Sequence, residues 1–195
     1  MKRREMRRVI CVYCSSSVRV DPRYFEIARS LGSEIGERGH SLVYGGAGIG
    51  LMGAVAKSAK ERGAEVIGVL PEYMNARGIT FDGADRIILT EDLRERKAVM
   101  EEKADAFISL PGGFGTLEET LEILTLKQLH VHNKPLVIIN TGDFYRPLLD
   151  FFERFYRESF AREELRESYR VETSVSAALE YIEGYQPKRL AEKWF

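Results

Sequence analysis

The residues best suited to chemistry lie in Leu110-Pro111-Gly112-Gly113-Phe114-Gly115-Thr116-Leu117-Glu118-Glu119, with Glu122 one turn further on. The three glycines, all within four residues, follow an apolar run, and a helical pattern begins near Thr116. Glycine lets backbone N–H groups come close to a ligand, and a helix start carries about half a unit of positive charge. Gly112, Gly113, Phe114, Gly115 and Thr116 therefore form a candidate seat for a phosphate. Glu118, Glu119 and Glu122 share the next two turns of that helix, where they repel one another unless a cation engages them. Arg96-Lys97 is the candidate cation. A phosphate seat beside a positioned acid suits a reaction on a phosphorylated small molecule.

Each feature also has a plainer explanation. Thr116-x-x-Glu119 is the pattern of a capping box, in which each side chain satisfies the other's backbone N–H. Arg96 fits a solvated helix face with i,i+4 ion pairs equally well. A second turn, Gly45-Gly46-Ala47-Gly48-Ile49-Gly50, lacks the spacing of the dinucleotide fingerprint, and Pro71 stands where the ribose-binding acid would be expected. It reads either as close packing of a helix on a strand or as nucleotide contact through Gly45 and Gly46. Neither turn ends in the Gly-Lys-Ser/Thr of an ATP-hydrolysing P-loop.

These turns need strands before them and helices after them, and the hydrophobic pattern supplies both. Strands are expected at Val9 to Ser15, Ser41 to Tyr44, Glu65 to Leu70, Arg86 to Thr90, Ala106 to Leu110 and Pro135 to Asn140. A short edge strand is expected at Arg170 to Glu172. Helices are expected from Pro22 to Gly39, Gly50 to Gly63, Glu91 to Lys103, Thr116 to about His130, Asp143 to Ser159 and Ser174 to Glu183. Residues 72–85 have no clean period and read as a loop with one helical turn. Alternation of this kind predicts one Rossmann-like α/β domain over residues 1–195, a doubly wound parallel sheet with helices on both faces. Both glycine turns then fall at the carboxyl rim, where such sheets bind ligands. Residues 1–7 read as a basic leader, and 184–195 as a tail whose Trp194 and Phe195 need a surface.

Composition narrows the function classes. The 195 residues are 44% hydrophobic, enough for a sizeable core, and the net charge of -1 argues against a nucleic-acid binder. No apolar run reaches the roughly 18 residues of a membrane span, and no signal-peptide core is expected, which points to the cytoplasm. Cys11 and Cys14 are three apart on a strand and should face opposite sides, as structural thiols rather than a redox or zinc pair. His130 and His132 lack a third ligand, so no metal is expected.

The combination of Tyr44-Gly45-Gly46-Ala47-Gly48-Ile49-Gly50-Leu51-Met52-Gly53, Arg96-Lys97 and Pro111 to Glu119 resembles the LONELY GUY (LOG) family. Its members are cytokinin riboside 5'-monophosphate phosphoribohydrolases, often mislabelled lysine decarboxylases. The likeness continues through Lys127-Gln128-Leu129 and His132-Asn133-Lys134-Pro135 to about Leu149. It implies that Arg96 and Glu119 are the catalytic pair and that Gly112 to Thr116 hold a 5'-phosphate. Gly45, Gly46, Lys97, Glu118 and Glu122 would join in binding a nucleoside monophosphate. It further implies a homodimer or larger assembly, with no cofactor. Residues 74–85 depart from the family pattern, and Met100, Phe114 and Leu129 are the candidate lining of an apolar base pocket. A non-catalytic nucleotide or molybdenum-cofactor carrier is the alternative. A pyridoxal-phosphate decarboxylase would need a Schiff-base lysine, for which Lys97 is the candidate within a motif.

Overall fold

The computed structural model describes residues 7–187. In chain order they form β1 (Val9–Tyr13), α1 (Pro22–Glu37), β2 (Ser41–Tyr44), α2 (Gly50–Glu61), β3 (Val66–Pro71), α3 (Glu72–Asn75) and β4 (Arg86–Thr90). Then follow α4 (Leu93–Lys103), β5 (Ala106–Ser109), α5 (Phe114–Gln128), β6 (Leu136–Ile139), α6 (Arg146–Arg157), β7 (Arg170–Glu172) and α7 (Val175–Gly184). All seven strands pair in parallel, in the order β4-β3-β2-β1-β5-β6-β7. The order reverses at β1, so the crevice between the carboxyl ends of β1 and β5 is the natural ligand site of this topology.

Two apolar layers hold the sheet. Ile10, Val12 and Cys14 point into the layer shared with α1, α2 and α7, while Cys11 and Tyr13 point into the layer containing Met100, Ile123 and Phe152. The two thiols thus lie on opposite faces, both free and buried, as period-two alternation requires. Burying a Val, Ile or Phe side chain contributes about 1.5–3 kcal/mol. A strand buried on both faces, as β1 is over Ile10 to Tyr13, is therefore a firm base for the loop that follows it.

Several boundaries differ from those expected. α5 begins at Phe114, not Thr116, because Gly113 is the cap. α4 begins after Asp92, whose side chain accepts hydrogen bonds from the Arg94 and Glu95 N–H groups. The helix expected from Asp143 is divided: a 3-10 turn covers Thr141–Asp143, and α6 starts at Arg146 with Pro147 in its first turn. Positive φ at Gly142 and Asp143 breaks the helical path between them. Arg7, expected in the leader, is tied down by bonds to Ser41 and Glu65. Residues 1–6 of that leader, and Trp194 and Phe195 of the tail, lie outside the described residues. Among the described residues no helix is long and apolar enough to cross a membrane.

Candidate active site

The phosphate-seat stretch folds as a tight unit. β5 ends at Ser109, the chain turns through Leu110 to Gly113, and α5 begins. Leu110 N–H donates to Tyr13 O, and the Tyr145 hydroxyl donates to Leu110 O at 2.7 Å, so the turn is braced from two sides. A Cβ on Gly112 would overlap the hydroxyl of Thr116; glycine is required because Thr116 packs beneath it. No side chain caps α5, and its first backbone bond runs from Leu117 N–H to Gly113 O. The preceding N–H groups of the first turn have no helical acceptor, and they lie where an anion is favoured.

The second glycine turn is built differently. Leu51 and Met52, at the start of α2, donate their N–H groups to Ser15 O, at 2.9 and 3.3 Å. Gly48 N–H donates to Ile79 O, and Phe81 N–H to Gly46 O. These amides hold the loop after β1 and the segment after α3 against the turn. Gly45 is the exception. Arg96 Nη2 lies where its Cβ would be, so glycine here makes room for the guanidinium.

Arg96 and Glu119 form a buried ion pair at 2.6 Å, only 7% and 5% exposed. Arg96 Nε donates to Val69 O at 3.0 Å, and Nη1 donates to Glu119 Oε1. The third nitrogen, Nη2, lies against Gly45, and Arg96 lines the cavity. Burial pushes the Glu119 carboxyl above its ordinary value of 4.5, while the charge and hydrogen bond of Arg96 pull it back. The capping box is therefore not formed: Thr116 is inside the helix, and Glu119 reaches across to α4. Arg96, for its part, is not on a solvated face.

The pair closes one wall of a cavity of about 330 Å³. Its lining comes from the rim after four strands: Cys14 to Ser17 after β1, Gly45, Ala47 and Met52 after β2, Met74 and Ile79 after β3, and Gly113, Gly115, Thr116 and Glu119 after β5. Leu93 and Arg96 of α4 complete it. Hydroxyls and the ion pair make one part polar; Met52, Met74, Ile79 and Leu93 make the other apolar. The expected residues Gly45, Arg96, Gly113, Gly115, Thr116 and Glu119 are brought together here. Gly46, Gly112 and Phe114 are not among the lining, and Phe114 projects outward, 94% exposed.

Lys97 pairs instead with Glu118, and with Glu122 at 2.7 Å, forming a clamp between α4 and α5 outside the cavity. No lysine lines the cavity, which leaves a Schiff-base cofactor without its anchor there. Of the apolar residues expected around a base, Met100 is core, while Leu129 is exposed just past the far end of α5. Ser15 to Ser17, Met52, Met74, Ile79 and Leu93 were not expected. A run of three hydroxyls at a strand end beside the switch point is the signal that marks the first group. His132 is committed to structure: Nε2–H donates to Ile123 O and Nδ1 accepts from Lys134 N–H. Among the described residues no three His, Cys, Asp or Glu side chains could together hold a metal. A larger concavity of about 570 Å³, lined by residues such as Arg166, Tyr169 and Tyr181, includes neither the glycine turns nor the ion pair.

Comparison with known proteins shows the family. A family model described as possible lysine decarboxylase matches residues 52–182. The chain is 42% identical over 190 residues to the cytokinin riboside 5'-monophosphate phosphoribohydrolase LOG of Oryza sativa subsp. japonica, covering 96% of this chain and 77% of that protein. It is 40% identical over 179 residues to LOG7, a cytokinin riboside 5'-monophosphate phosphoribohydrolase of Arabidopsis thaliana, covering 92% and 82%. The fold is similar to that of a molybdenum cofactor binding protein from Rippkaea orientalis, with TM-score 0.70, 23% identity and coverage of 91% of this chain and 96% of that one. A molybdenum cofactor carrier protein from Chlamydomonas reinhardtii is similar at TM-score 0.69 and 24% identity, covering 91% and 98%. With relatives of this identity spanning most of its length, the chain belongs to the LOG family of cytokinin riboside 5'-monophosphate phosphoribohydrolases.

Proposed function

We propose that this chain, acting as one Rossmann-like domain, hydrolyses the N-glycosidic bond of adenosine 5'-monophosphate or its N6-substituted forms. The products are the free base and ribose 5-phosphate. The observation that carries this reading is the placement of Glu119. It is bound to Arg96, buried in the wall of the cavity, and one helical turn inside the uncapped start of α5. One turn of helix is roughly the breadth of a ribose. A phosphate on the first turn would set the anomeric carbon opposite the carboxylate.

Cleaving the bond builds positive charge on the ribose, as in glycoside hydrolysis. An ionised Glu119 stabilises that charge and accepts a proton from the attacking water. Water oxygen bonds to the anomeric carbon, and the bond electrons leave with the base, which takes up a proton. Arg96 holds the carboxylate through Nη1, and Nη2 remains for a ribose or phosphate oxygen. The N–H groups at the start of α5, with the Thr116 hydroxyl and Ser15 to Ser17, anchor the phosphate end. Binding energy from that remote group fixes the reacting carbon. The base lies toward Met52, Met74, Ile79 and Leu93, an apolar end suited to adenine or a prenylated adenine. Lys97, Glu118 and Glu122 act by clamping α4 to α5. Two reduced thiols on opposite sheet faces suit a cytoplasmic protein. The functional unit is a homodimer or larger.

The test is the Glu119→Gln variant. Base release from AMP or prenylated AMP should fall by about 10²–10⁴, the range for losing a catalytic acid or base, while AMP still binds. Normal turnover in that variant would remove the assignment. AMP binding without base release by the unaltered protein would make it a carrier.

A further inference from the structure

Directly behind Thr116 and Glu119, where α5 faces β5, two hydroxyls meet in the core. Ser109 is the last residue of β5 and fully buried; Thr120 follows Glu119 and is 1% exposed. Their oxygens are 2.7 Å apart. Thr120 Oγ1 also donates to Thr116 O at 2.6 Å, which uses its only proton. Ser109 must therefore be the donor to Thr120. The result is a directed chain: Ser109 hydroxyl to Thr120 hydroxyl to Thr116 carbonyl. It runs from the strand end to the first turn of the helix.

The two hydroxyls are buried among apolar core residues and satisfy each other and the helix backbone. Its placement suggests why hydroxyls are present. Thr116 is held from above by Gly112, whose Cα lies against its side chain, and from below by Thr120. Thr116 and Glu119 both line the cavity, and in the proposed reaction one seats the phosphate and the other faces the reacting carbon. We infer that Ser109 and Thr120 are positioning residues. They lock the first turn of α5 to the sheet, so that the phosphate seat and the Glu119 carboxylate move as one body. They touch no substrate and act through Thr116 and Glu119. The inference rests on the reading of the site given above.

The test uses Thr120→Val, Ser109→Ala/Thr120→Val and Thr120→Ser in the full chain, with Glu119→Gln as reference. Thr120→Val should lower kcat by about tenfold, the scale of a sub-ångström misplacement, with KM changed less than about twofold. Thr120→Ser keeps the hydroxyl and should restore kcat. The double variant should unfold at no lower a temperature than Thr120→Val, because it leaves no unpaired buried Ser109 hydroxyl, yet stay as slow. Unchanged kcat in Thr120→Val and the double variant, with Glu119→Gln inactive, would overturn the inference and leave the site standing. So would losses that merely follow melting temperature and are not restored in Thr120→Ser. A fully active Glu119→Gln would remove the site itself, and the inference with it.

Discussion

The guanidinium of Arg96 lies against the Cα of Gly45, so that Nη2 occupies the space a side chain at position 45 would need. The same guanidinium is held by Val69 O and by Glu119. It cannot yield to a new methyl group without giving up one of these bonds.

Gly45→Ala should therefore displace Arg96 while leaving the core intact. Base release should fall by about tenfold or more, as expected when a catalytic group loses its alignment. The melting temperature should fall, but by less than in Arg96→Leu, because the guanidinium charge stays beside Glu119. Wild-type kcat in that variant would show that Arg96 does not need its observed position.

The Arg96–Glu119 pair also makes a prediction about stability. Removing one member of a buried pair typically costs about 3–5 kcal/mol, because the other charge is left uncompensated. Arg96→Leu should be destabilised on that scale in urea at pH 8, and Arg96→Leu/Glu119→Leu should recover much of the loss. The sign with pH is definite. Without Arg96, the largest opposition to burial is gone and the Glu119 pKa rises further, so the deficit should shrink as pH falls and the carboxyl is protonated.

The apolar end of the cavity should set base preference. Met74→Ser and Ile79→Ser should lower kcat/KM for prenylated AMP more than for AMP, by about tenfold, the scale of a lost apolar pocket contact. Competition between the two substrates measures this ratio. An unchanged ratio would place the N6 substituent elsewhere.

His132 should give the fold an acid limit. Burial pushes its pKa down to about 4 from the ordinary 6.5. The folded state thus favours the neutral ring, so this contribution is complete above pH 6.5 and is lost as pH falls toward 4. Urea midpoints of the protein and of His132→Gln between pH 7.5 and 4 should converge as the unfolded wild-type chain takes the proton that the folded ring refuses.

The residues that proved legible in the sequence were those with local causes. Pro111 and three glycines mark a strand ending in a turn before a helix, whatever surrounds them, and the alternation of elements implies the parallel sheet. Thr116 and Glu119 were ambiguous because T-x-x-E satisfies a capping rule locally, whereas the deciding partner, Arg96, is 23 residues away. Gly45 to Gly50 were ambiguous for the same reason, since their partners are distant in the chain. The sequence left packing and nucleotide contact both open there, and the structure shows Gly48 N–H used by Ile79 O while Gly45 lines the cavity. Met100 and Leu129 have the right chemistry for a base pocket and the wrong place. One is in the core layer beneath the sheet and the other is past the far end of α5. Met74 and Ile79 lie in a stretch with no period, which the antiparallel bridge of Ala47 with Thr80 and the packing of Phe81 on the core bring back to the rim.

The crossover from β3 to β4 contains a single turn of helix, α3, with none of its residues buried. It nevertheless supplies two of the cavity's apolar side chains, while Glu119 and Arg96 are on longer helices rooted in the core. In the proposed reaction, part of the contact with the leaving base thus comes from a piece of chain with different mechanical support from the ion pair. Redesign of residues 72–85 should alter the accepted nucleobase while leaving Arg96 and Glu119 in place.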